Sequence, residues 1–398
     1  MPHDHALTRI GAGQLSISRE IKQMVGKIGA RRTLATSIAI AALTLGYATV
    51  AADREVHVYN WSDYIDEGNL KAFTAETGIK VVYDVFDSND TLETKLLAGK
   101  TGYDVVVPTG GFLARQIQAG VFQKLDKSKL ANWEHLWPDV MTRLAKYDPG
   151  NEHAVNYMWG TTGIGYNVKK IKDRMPDAPL DSWKMVFDPD VVMKFKDCGI
   201  MMLDASDEVT AALLNYLGLD PNSKNPEDFK KAAEHFKKIR PAVKKFHSSE
   251  YINALANGDV CMVVGWSGDI VQAKTRAEEK NAKVKDENKK VEIAYIIPKE
   301  GAQMWFDNMA IPKDAKNVEE AHAFINFMMK PEVAAKNTEF IGYPNPNLSS
   351  QKLIKKEILE DPQIYPSADT IAKLFMVTPN EKDVQRALVN TWRDMKRK

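Results

Sequence analysis

Three features of the sequence predict an α/β fold built as two lobes. The chain has 398 residues, which is too many for one compact core and suits two domains of ordinary size. Its 44% hydrophobic and 27% charged residues are typical of a globular protein. From residue 55 onward, short strand patterns alternate with helical patterns of about ten residues, which indicates a doubly wound sheet.

The first 52 residues are not expected to belong to this fold. Arg31 and Arg32 precede an apolar run, 34–50, and small residues at 50–52 precede charged ones. This order predicts a cleaved signal peptide and an exported protein. A membrane anchor is the alternative, but the run is short for one and is diluted by Ala, Thr and Gly. The true start could be Met24, and the arginine pair leaves the twin-arginine and general export routes both open.

Removal of this segment changes the net charge of the protein. Residues 1–52 hold six of the 54 basic and two of the 53 acidic side chains, which leaves 48 and 51 and a net charge of −3. This balance argues against a nucleic-acid-binding protein. A mild acidic excess is compatible with a cationic ligand.

The elements follow from the pattern in order. In the first half we expect strands at 56–59, 79–86 and 103–107, and helices at 69–77, 89–98 and 112–119. In the second half we expect strands at 199–203, 260–266, 292–297 and 304–311, and helices at 206–217, 226–239, 248–257 and 318–329. Ser206 is expected to cap its helix. The tail 368–398 is predicted to be helical and basic, and 280–290 to be an exposed loop.

The sequence has none of the enzyme signatures that were sought. It has no nucleophile elbow, no P-loop, no H-E-x-x-H and no G-x-G-x-x-G pattern. Its eight His are scattered, and its two Cys match no zinc spacing. The sequence therefore predicts a protein that is not an enzyme and that needs no cofactor and no metal. An exported enzyme that uses carboxylates as acid and base is the less favoured alternative.

Aromatic residues precede carboxylates at three predicted strand ends. The three pairs are Trp61 with Asp63, Trp266 with Asp269, and Trp305 with Asp307. One such pair is best read as a turn former beside a core residue. Three of them, where ligands bind in open α/β sheets, indicate a binding site.

Such a site suits a small diamine. Carboxylates replace the hydration of an ammonium group with charge-assisted hydrogen bonds. Aromatic faces attract the cation and bury the methylene chain, at about 0.8 kcal/mol per CH₂. A site for amino acids would call for Arg, and no Arg lies at these strand ends.

The only two cysteines are Cys198 and Cys261. In an oxidising compartment an isolated pair favours a disulfide, which would close a loop of about sixty residues and contribute roughly 4 kcal/mol. Two buried thiols are the alternative.

Beyond these features, the chain from residue 55 resembles the periplasmic putrescine- and spermidine-binding proteins of ABC importers. The stretches that carry the resemblance are 59–65, 84–89, 161–167, 246–251 and 265–269. The resemblance implies a type II periplasmic-binding-protein fold with an interlobe cleft, a polyamine ligand, permease subunits as partners and a periplasmic location. The oligomeric state is left open, although a monomer suits delivery to a transporter. The resemblance also favours the disulfide, since these positions are bridged in close relatives.

The resemblance further implies the limits of the two lobes. The N-terminal lobe would comprise 53–157 and 293–342, and the C-terminal lobe 158–292 and 343–398. Crossovers between the lobes are expected near 157–159, 295–297 and 342–343.

The family's binding positions transfer to this sequence residue by residue. Glu208 enters only in this way, since by itself it is best read as a helix-dipole partner. The implied ligand-binding set is Trp61, Ser62, Asp63, Tyr64, Thr109, Glu208, Ser248, Trp266, Asp269, Trp305, Asp307 and Tyr343.

The choice of polyamine is left open by two conflicting signals. Spermidine-preferring relatives tend to carry Trp at the position of Trp305, whereas putrescine-preferring ones tend to carry Phe. The remaining sequence is nearer to the putrescine type.

A polyamine sensor that feeds a receptor instead of a permease is the functional alternative.

Overall fold

The computed structural model describes residues 54–397. The predicted signal peptide, its cleavage site and the alternative start lie outside these residues. Residues 54–397 form one compact unit.

Nine strands form the sheet in residues 54–397. Their bounds are β1 Glu55–Trp61, β2 Lys80–Phe86, β3 Val105–Val106, β4 Ala154–Asn167, β5 Ile200–Met202, β6 Val243–Phe246, β7 Met262–Trp266, β8 Ile293–Ile296 and β9 Met304–Ala310.

Sixteen α-helices accompany the strands in residues 54–397. Their bounds are α1 Glu67–Thr77, α2 Asn89–Ala98, α3 Gly110–Gln118, α4 Pro138–Leu144, α5 Val168–Arg174, α6 Lys184–Phe187, α7 Pro189–Val192, α8 Ser206–Tyr216, α9 Pro226–Ile239, α10 Glu250–Ala256, α11 Ser267–Asn281, α12 Val318–Met328, α13 Pro331–Ile341, α14 Lys356–Leu359, α15 Ala368–Ile371 and α16 Lys382–Lys396. Within this part of the chain, no helix combines the length and the apolar character that a membrane span requires.

The sheet consists of two parallel groups joined by antiparallel strands. The strand order is β2-β1-β3-β9-β4-β7-β5-β6, and β8 also pairs with β4. The groups β2-β1-β3 and β7-β5-β6 are parallel, whereas β9 and β4 run antiparallel to their neighbours. The expected doubly wound pattern is therefore found in each half separately, with a mixed region between the halves.

Strand β4 connects the two halves. Its first part, 154–161, pairs with β9, and its second part, 162–166, pairs with β7. All fourteen of its residues are buried. The sequence pattern did not predict this strand, because its Gly-rich second half, Gly160-Thr-Thr-Gly-Ile-Gly, lacks the usual alternation of apolar and polar residues.

Two clusters of buried apolar residues pack on either side of this connection. The first core draws on residues 56–159 and 304–343. The second core draws on 164–302 and on the buried side of α16 through Leu388, Trp392 and Met395. Two separate cores agree with the size argument made from the length of the chain.

Local sequence sets the ends of several helices. The Asp66 side chain accepts a hydrogen bond from the Gly68 amide at the start of α1, and Gly78 ends this helix with a left-handed φ of 70°. Helix α9 has the predicted bounds. The predicted cap at Ser206 is wrong, because α8 begins at Ser206 itself and its N-cap is Ala205, which offers no side chain to the free amides.

Two further predictions needed correction. Residues 368–398 do not form one helix, since α15 and α16 are separated by an extended segment that pairs with the strand region near Gln303. Helix α11 was not predicted, and it extends into the expected loop as far as Asn281. Residues 282–289 are exposed except Val284, as expected for a loop.

The disulfide is confirmed. Cys198 and Cys261 are bridged, with a Cα–Cα distance of 5.4 Å and a sequence separation of 63. The bridge lies within the second core and joins Cys198, two residues before β5, to Cys261, directly before β7. It therefore ties together neighbouring parallel strands whose far ends lead toward the cavity described next.

Candidate ligand-binding cavity

Eleven of the twelve predicted site residues line one cavity. It lies between side chains of the first and second cores. Its lining consists of Trp61, Ser62, Tyr64, Thr109, Glu208, Ser248, Trp266, Asp269, Trp305, Asp307 and Tyr343.

The ends of strands and the starts of helices position most of these side chains. Trp61 ends β1 and Trp266 ends β7, so both lie at carboxyl ends of parallel strands. Glu208 and Asp269 lie in the first turns of α8 and α11. Thr109 is the N-cap residue of α3.

Trp305 and Asp307 were expected at a strand end, but they lie inside β9. They reach the cavity because β9 runs antiparallel to β3, so that its first residues meet the carboxyl end of β3. Thr109 and Asp307 form a bridge at this edge. The prediction that these two residues line the site is therefore right, but the expected position at a strand end is wrong. The local pattern does not specify the direction of the strand, which is what brings them to the cavity.

Aromatic rings form much of the wall. The rings of Trp61 and Trp266 meet edge to face at 5.4 Å between centroids, and those of Trp305 and Tyr343 at 5.4 Å. Trp266 and Trp305 lie 6.4 Å apart. Two glycines permit this packing, because a Cβ at Gly268 would lie 2.3 Å from the Tyr343 ring and one at Gly160 2.7 Å from the Trp305 ring.

The carboxylate of Asp307 accepts two hydroxyl hydrogen bonds. Thr109 Oγ1 donates to Oδ1 at 2.6 Å, and Tyr64 Oη donates to Oδ2 at 2.8 Å. Asn89 fixes Thr109 from both sides, since its Nδ2 donates to Thr109 Oγ1 at 2.9 Å and its Oδ1 accepts from the Thr109 amide at 3.1 Å.

The carboxylate of Asp269 is held in a similar way by two phenols. Tyr251 Oη donates to Oδ2 at 2.6 Å and Tyr343 Oη donates to Oδ1 at 2.7 Å. Glu208 uses one oxygen for two donors, Thr162 Oγ1 at 2.6 Å and Trp266 Nε1 at 2.9 Å. Each of the three carboxylates is therefore oriented by donors of the protein itself.

Burial makes these carboxylates hard to ionise. Loss of hydration raises the pKa of Asp269 to about 6, that of Asp307 to about 7 and that of Glu208 to about 8, while the hydrogen bonds described above act in the opposite direction. Nearby acids add to the rise, Asp63 at Asp269, Asp269 at Asp307, and Asp207 at Glu208.

No protein cation compensates this charge within the cavity. Of the described residues that line it, none is Lys, Arg or His. Groups of three or more potential metal ligands are also absent from residues 54–397. A buried set of three carboxylates between aromatic rings, without a counter-ion, has the chemistry of a receptor for an organic cation.

Asp63 is the one predicted residue that does not line the cavity. It adopts a left-handed backbone conformation, with φ of 55°, and its side chain is partly exposed outside the cavity. Its Oδ1 accepts from Arg276 Nη2 at 2.7 Å, and its carbonyl oxygen accepts from Gln272 Nε2 at 3.2 Å. Both partners lie on α11. Asp63 therefore joins the loop that follows β1 to the helix that carries Asp269.

Two residues behind the wall were missed by sequence reasoning. Tyr251 and Thr162 do not line the cavity, yet they hold Asp269 and Glu208. A signal for both was available, because each lies in a stretch that carried the family resemblance, 246–251 and 161–167.

A family model described as "Bacterial extracellular solute-binding protein" matches residues 70–366. The chain belongs to this family. The resemblance and the periplasmic-binding-protein fold stated from the sequence are confirmed.

Relatives of this solute-binding protein include two proteins named as putrescine-binding periplasmic proteins. SpuD of Pseudomonas aeruginosa (strain UCBPP-PA14) is 53% identical over 93% of this chain and 98% of its own length. PotF of Escherichia coli (strain K12) is 47% identical over 92% and 98%. A solved structure of the spermidine/putrescine ABC transporter substrate-binding protein PotD of Streptococcus pneumoniae aligns with a TM-score of 0.68 and 34% identity, over 86% of this chain and 98% of that one.

Proposed function

We propose that this protein binds a polyamine, putrescine or spermidine, in the periplasm and delivers it to the membrane subunits of an ABC importer. The observation that carries the proposal is the set of three buried, pre-oriented carboxylates, Glu208, Asp269 and Asp307, in an aromatic cavity without a cation. Ammonium groups would supply the missing charge, and the rings would cover the methylene chain.

The role in import rests on the relatives. Proteins about half identical over nearly the whole chain are named putrescine-binding periplasmic proteins, and the PotD structure is named as part of an ABC transporter. These names favour delivery to a permease over the sensor alternative. The sequence of residues 1–52 supports export, and a monomer suits docking on the permease.

Closure of two lobes around the ligand is the proposed mechanism. The lobes are those inferred from the sequence, 53–157 with 293–342 and 158–292 with 343–398. Support comes from the two cores and from the pairing change along β4, where the partner switches from β9 to β7 near residue 161. A ligand held by Asp307 on one side and Asp269 on the other would favour the closed form.

No covalent chemistry is part of the proposal. The cavity carboxylates accept hydrogen bonds from hydroxyls and an indole, and these contacts suit charge recognition. The relatives are named as binding proteins, which supports a role without turnover.

The preferred polyamine is the finer question. The names of the two most similar relatives described above favour putrescine, whereas Trp305, which is buried in the cavity wall, favours spermidine by the resemblance. Trp305→Phe is expected to shift the affinity ratio toward putrescine if this ring sets the ligand length. An unaltered ratio would remove that role from Trp305.

Titration calorimetry of the purified protein with putrescine, spermidine, ornithine and glutamate tests the proposal. We expect one of the two polyamines to bind with a micromolar or lower Kd, and glutamate not to bind, because its carboxylates would face three buried acids. Failure of both polyamines to bind would overturn the proposed function. Uptake of labelled polyamine by cells with and without the gene separates import from sensing.

A further inference from the structure

The loop that follows β1, residues 62–66, brings Ser62 and Tyr64 into the cavity wall. It lies outside the helices and strands, and Asp63 within it has a left-handed φ of 55°, which costs free energy in a residue other than glycine. Such a segment keeps its shape only when the surrounding structure holds it. The contacts of this loop therefore decide where Tyr64 points, and Tyr64 is one of the two hydroxyl donors to Asp307.

Tyr157 contacts this loop at Tyr64. It is 4% exposed and does not line the cavity. Its Oη donates to the Tyr64 carbonyl oxygen at 2.7 Å, and the two rings meet edge to face with their centroids 5.4 Å apart. Tyr157 therefore restrains the backbone of Tyr64 through the hydrogen bond and its side chain through the ring contact.

A β-bulge in β4 sets the position of Tyr157. The pairing of β4 with β9 shifts register between Asn156 and Met158, so Tyr157 is the extra residue. Asn156 spans the bulge, since its Nδ2 donates to Met158 O at 2.9 Å and to the Asp307 carbonyl oxygen at 2.8 Å. Bulges are common beside functional sites because they re-aim a side chain. This one fixes Tyr157 next to the backbone of Asp307.

Asn337 of α13 supports both the loop and Tyr157. It is fully buried, and its Oδ1 accepts from the Asp66 amide and from Asn69 Nδ2, each at 3.0 Å. Its Nδ2 donates to Tyr157 Oη at 3.4 Å. Asp66 is the last residue of the loop and the N-cap of α1. Tyr157 and Asn337 thus hold the loop at two points, Tyr64 and Asp66.

We infer that Tyr157 is a positioning residue for the ligand carboxylate of Asp307, which it orients through Tyr64. The inference rests on the proposed polyamine binding. Neither Tyr157 nor Asn337 lines the cavity, so their effect on a ligand passes through the loop. With the loop held, the Tyr64 hydroxyl donates to Asp307 at 2.8 Å and keeps this carboxylate charged and oriented toward an ammonium group.

Tyr157→Phe removes the hydroxyl and keeps the ring, so it tests the inference with little change in packing. Calorimetry uses putrescine or spermidine, whichever the unsubstituted protein binds more tightly. We expect about a fivefold loss of affinity, in the range of one buried hydrogen bond.

The pH profile of the affinity separates positioning from a merely structural role. The Thr109 and Tyr64 hydrogen bonds lower the pKa of Asp307, whereas burial and the charge of Asp269 raise it, and the charge of Glu208 also faces it. A misplaced Tyr64 hydroxyl should raise the pKa of Asp307. The loss of binding as the pH falls should then begin about half a pH unit higher in the variant. A structural role would lower the melting temperature without moving this profile.

A cycle of single and double variants tests whether Tyr157 acts through Tyr64. Tyr64→Phe alone is expected to weaken binding about tenfold. Adding Tyr157→Phe should weaken it little further, because the donor that Tyr157 orients is already gone. Additive losses, about fiftyfold in total, would show that Tyr157 acts by another route and would overturn the inference.

Trp183→Phe is the control for loss of a buried aromatic donor. Trp183 Nε1 donates to the Gly301 carbonyl oxygen at 2.8 Å within the second core, and Trp183 does not line the cavity. The substitution should lower the melting temperature and leave the affinity and its pH profile unchanged.

Asn337→Ala gives a second route to the same loop. It removes the contacts with Tyr157 and Asp66 and should weaken binding about threefold. If Tyr157→Phe folds and keeps the affinity and pH profile of the unsubstituted protein, the inference is overturned. If Tyr157→Phe does not fold, the same result for Asn337→Ala overturns it. Failure of the unsubstituted protein to bind either polyamine would instead overturn the proposed function, so the two failures are distinguishable.

Discussion

The two walls of the cavity hold their carboxylates in different ways. Asp307 is bonded by Tyr64 and Thr109, and all three belong to the part of the chain that builds the first core. Asp269 is bonded by Tyr251 of the second core and by Tyr343 of the first. The Asp307 wall is therefore complete within one core, whereas the Asp269 wall also uses Tyr343, whose ring packs in the first core and which lies at the expected crossover 342–343 between the lobes.

This difference suggests separate tasks for the two walls. A carboxylate that stays oriented whatever the position of the other core can capture a cation first. Asp269 receives its second hydrogen bond from Tyr343, whose ring packs in the other core. Binding at Asp269 can therefore depend on how the two cores are arranged. The following predictions test this division.

Removal of either negative charge should have the largest effect. Asp269→Asn and Asp307→Asn are each expected to weaken binding of the preferred polyamine about 100-fold, because a buried ammonium loses its charged partner, at roughly 3 kcal/mol. Calorimetry measures the affinity, with Asp139→Asn as the exposed control. An unchanged affinity for Asp269→Asn would remove that residue from the site.

As the pH falls, the cavity carboxylates should be protonated one after another, and each protonation should weaken binding of the cation. The raised pKa values, about 8 for Glu208, about 7 for Asp307 and about 6 for Asp269, mean that Glu208 is protonated first, Asp307 next and Asp269 last. A decrease from about pH 7.5 to about pH 6.5 should weaken binding about tenfold, and binding should release protons to the buffer. The Asp307→Asn variant should lose part of this dependence near pH 7, and equal pH profiles would contradict the assignment.

The same shifts predict the pH dependence of stability without ligand. A buried carboxyl whose pKa is raised by folding ionises in the unfolded chain first, so the free energy of unfolding should fall as the pH rises from about 4 to about 8. Thermal unfolding of the ligand-free protein measures this trend, and a saturating polyamine should reduce it. A rise in stability over this range would show that these carboxyls do not control it.

Loss of single phenol donors should have an intermediate effect that separates the walls. Tyr64→Phe and Tyr343→Phe are each expected to weaken binding about tenfold, since each removes one hydrogen bond to a charged group. Only Tyr343→Phe should also change the balance between open and closed forms, as measured by small-angle scattering with and without ligand. Identical scattering behaviour for both variants would contradict the proposed division.

The exposed ion pair outside the cavity should contribute least. Arg276→Gln removes the 2.7 Å contact with Asp63, in which both side chains are partly exposed. We expect a loss in affinity of about two- to threefold, which should disappear at high salt. A tenfold loss would instead indicate that Asp63 acts on the ligand directly.

The sequence alone predicted much of this site for an identifiable reason. Trp61, Trp266 and Asp269 each lie at a strand end or in the helix turn that follows, where local pattern and fold class together specify the position. Glu208 looked like a helix-dipole partner, and the family resemblance alone placed it in the set. Tyr251 and Thr162 act from behind the wall, and no local pattern distinguishes such a donor from a core residue.

By itself the sequence determined the α/β class, the need for two cores, the isolated cysteine pair and the recurring aromatic and acidic residues. These follow from length, periodicity and residue chemistry, which are local properties. Tertiary structure alone decided that β9 runs antiparallel and brings Asp307 to Thr109, that Asp63 turns toward Arg276, and that Tyr343 reaches Asp269 from the first core. The physical reason is that strand direction and contacts between distant segments depend on how the whole chain packs, so they leave no signature in neighbouring residues.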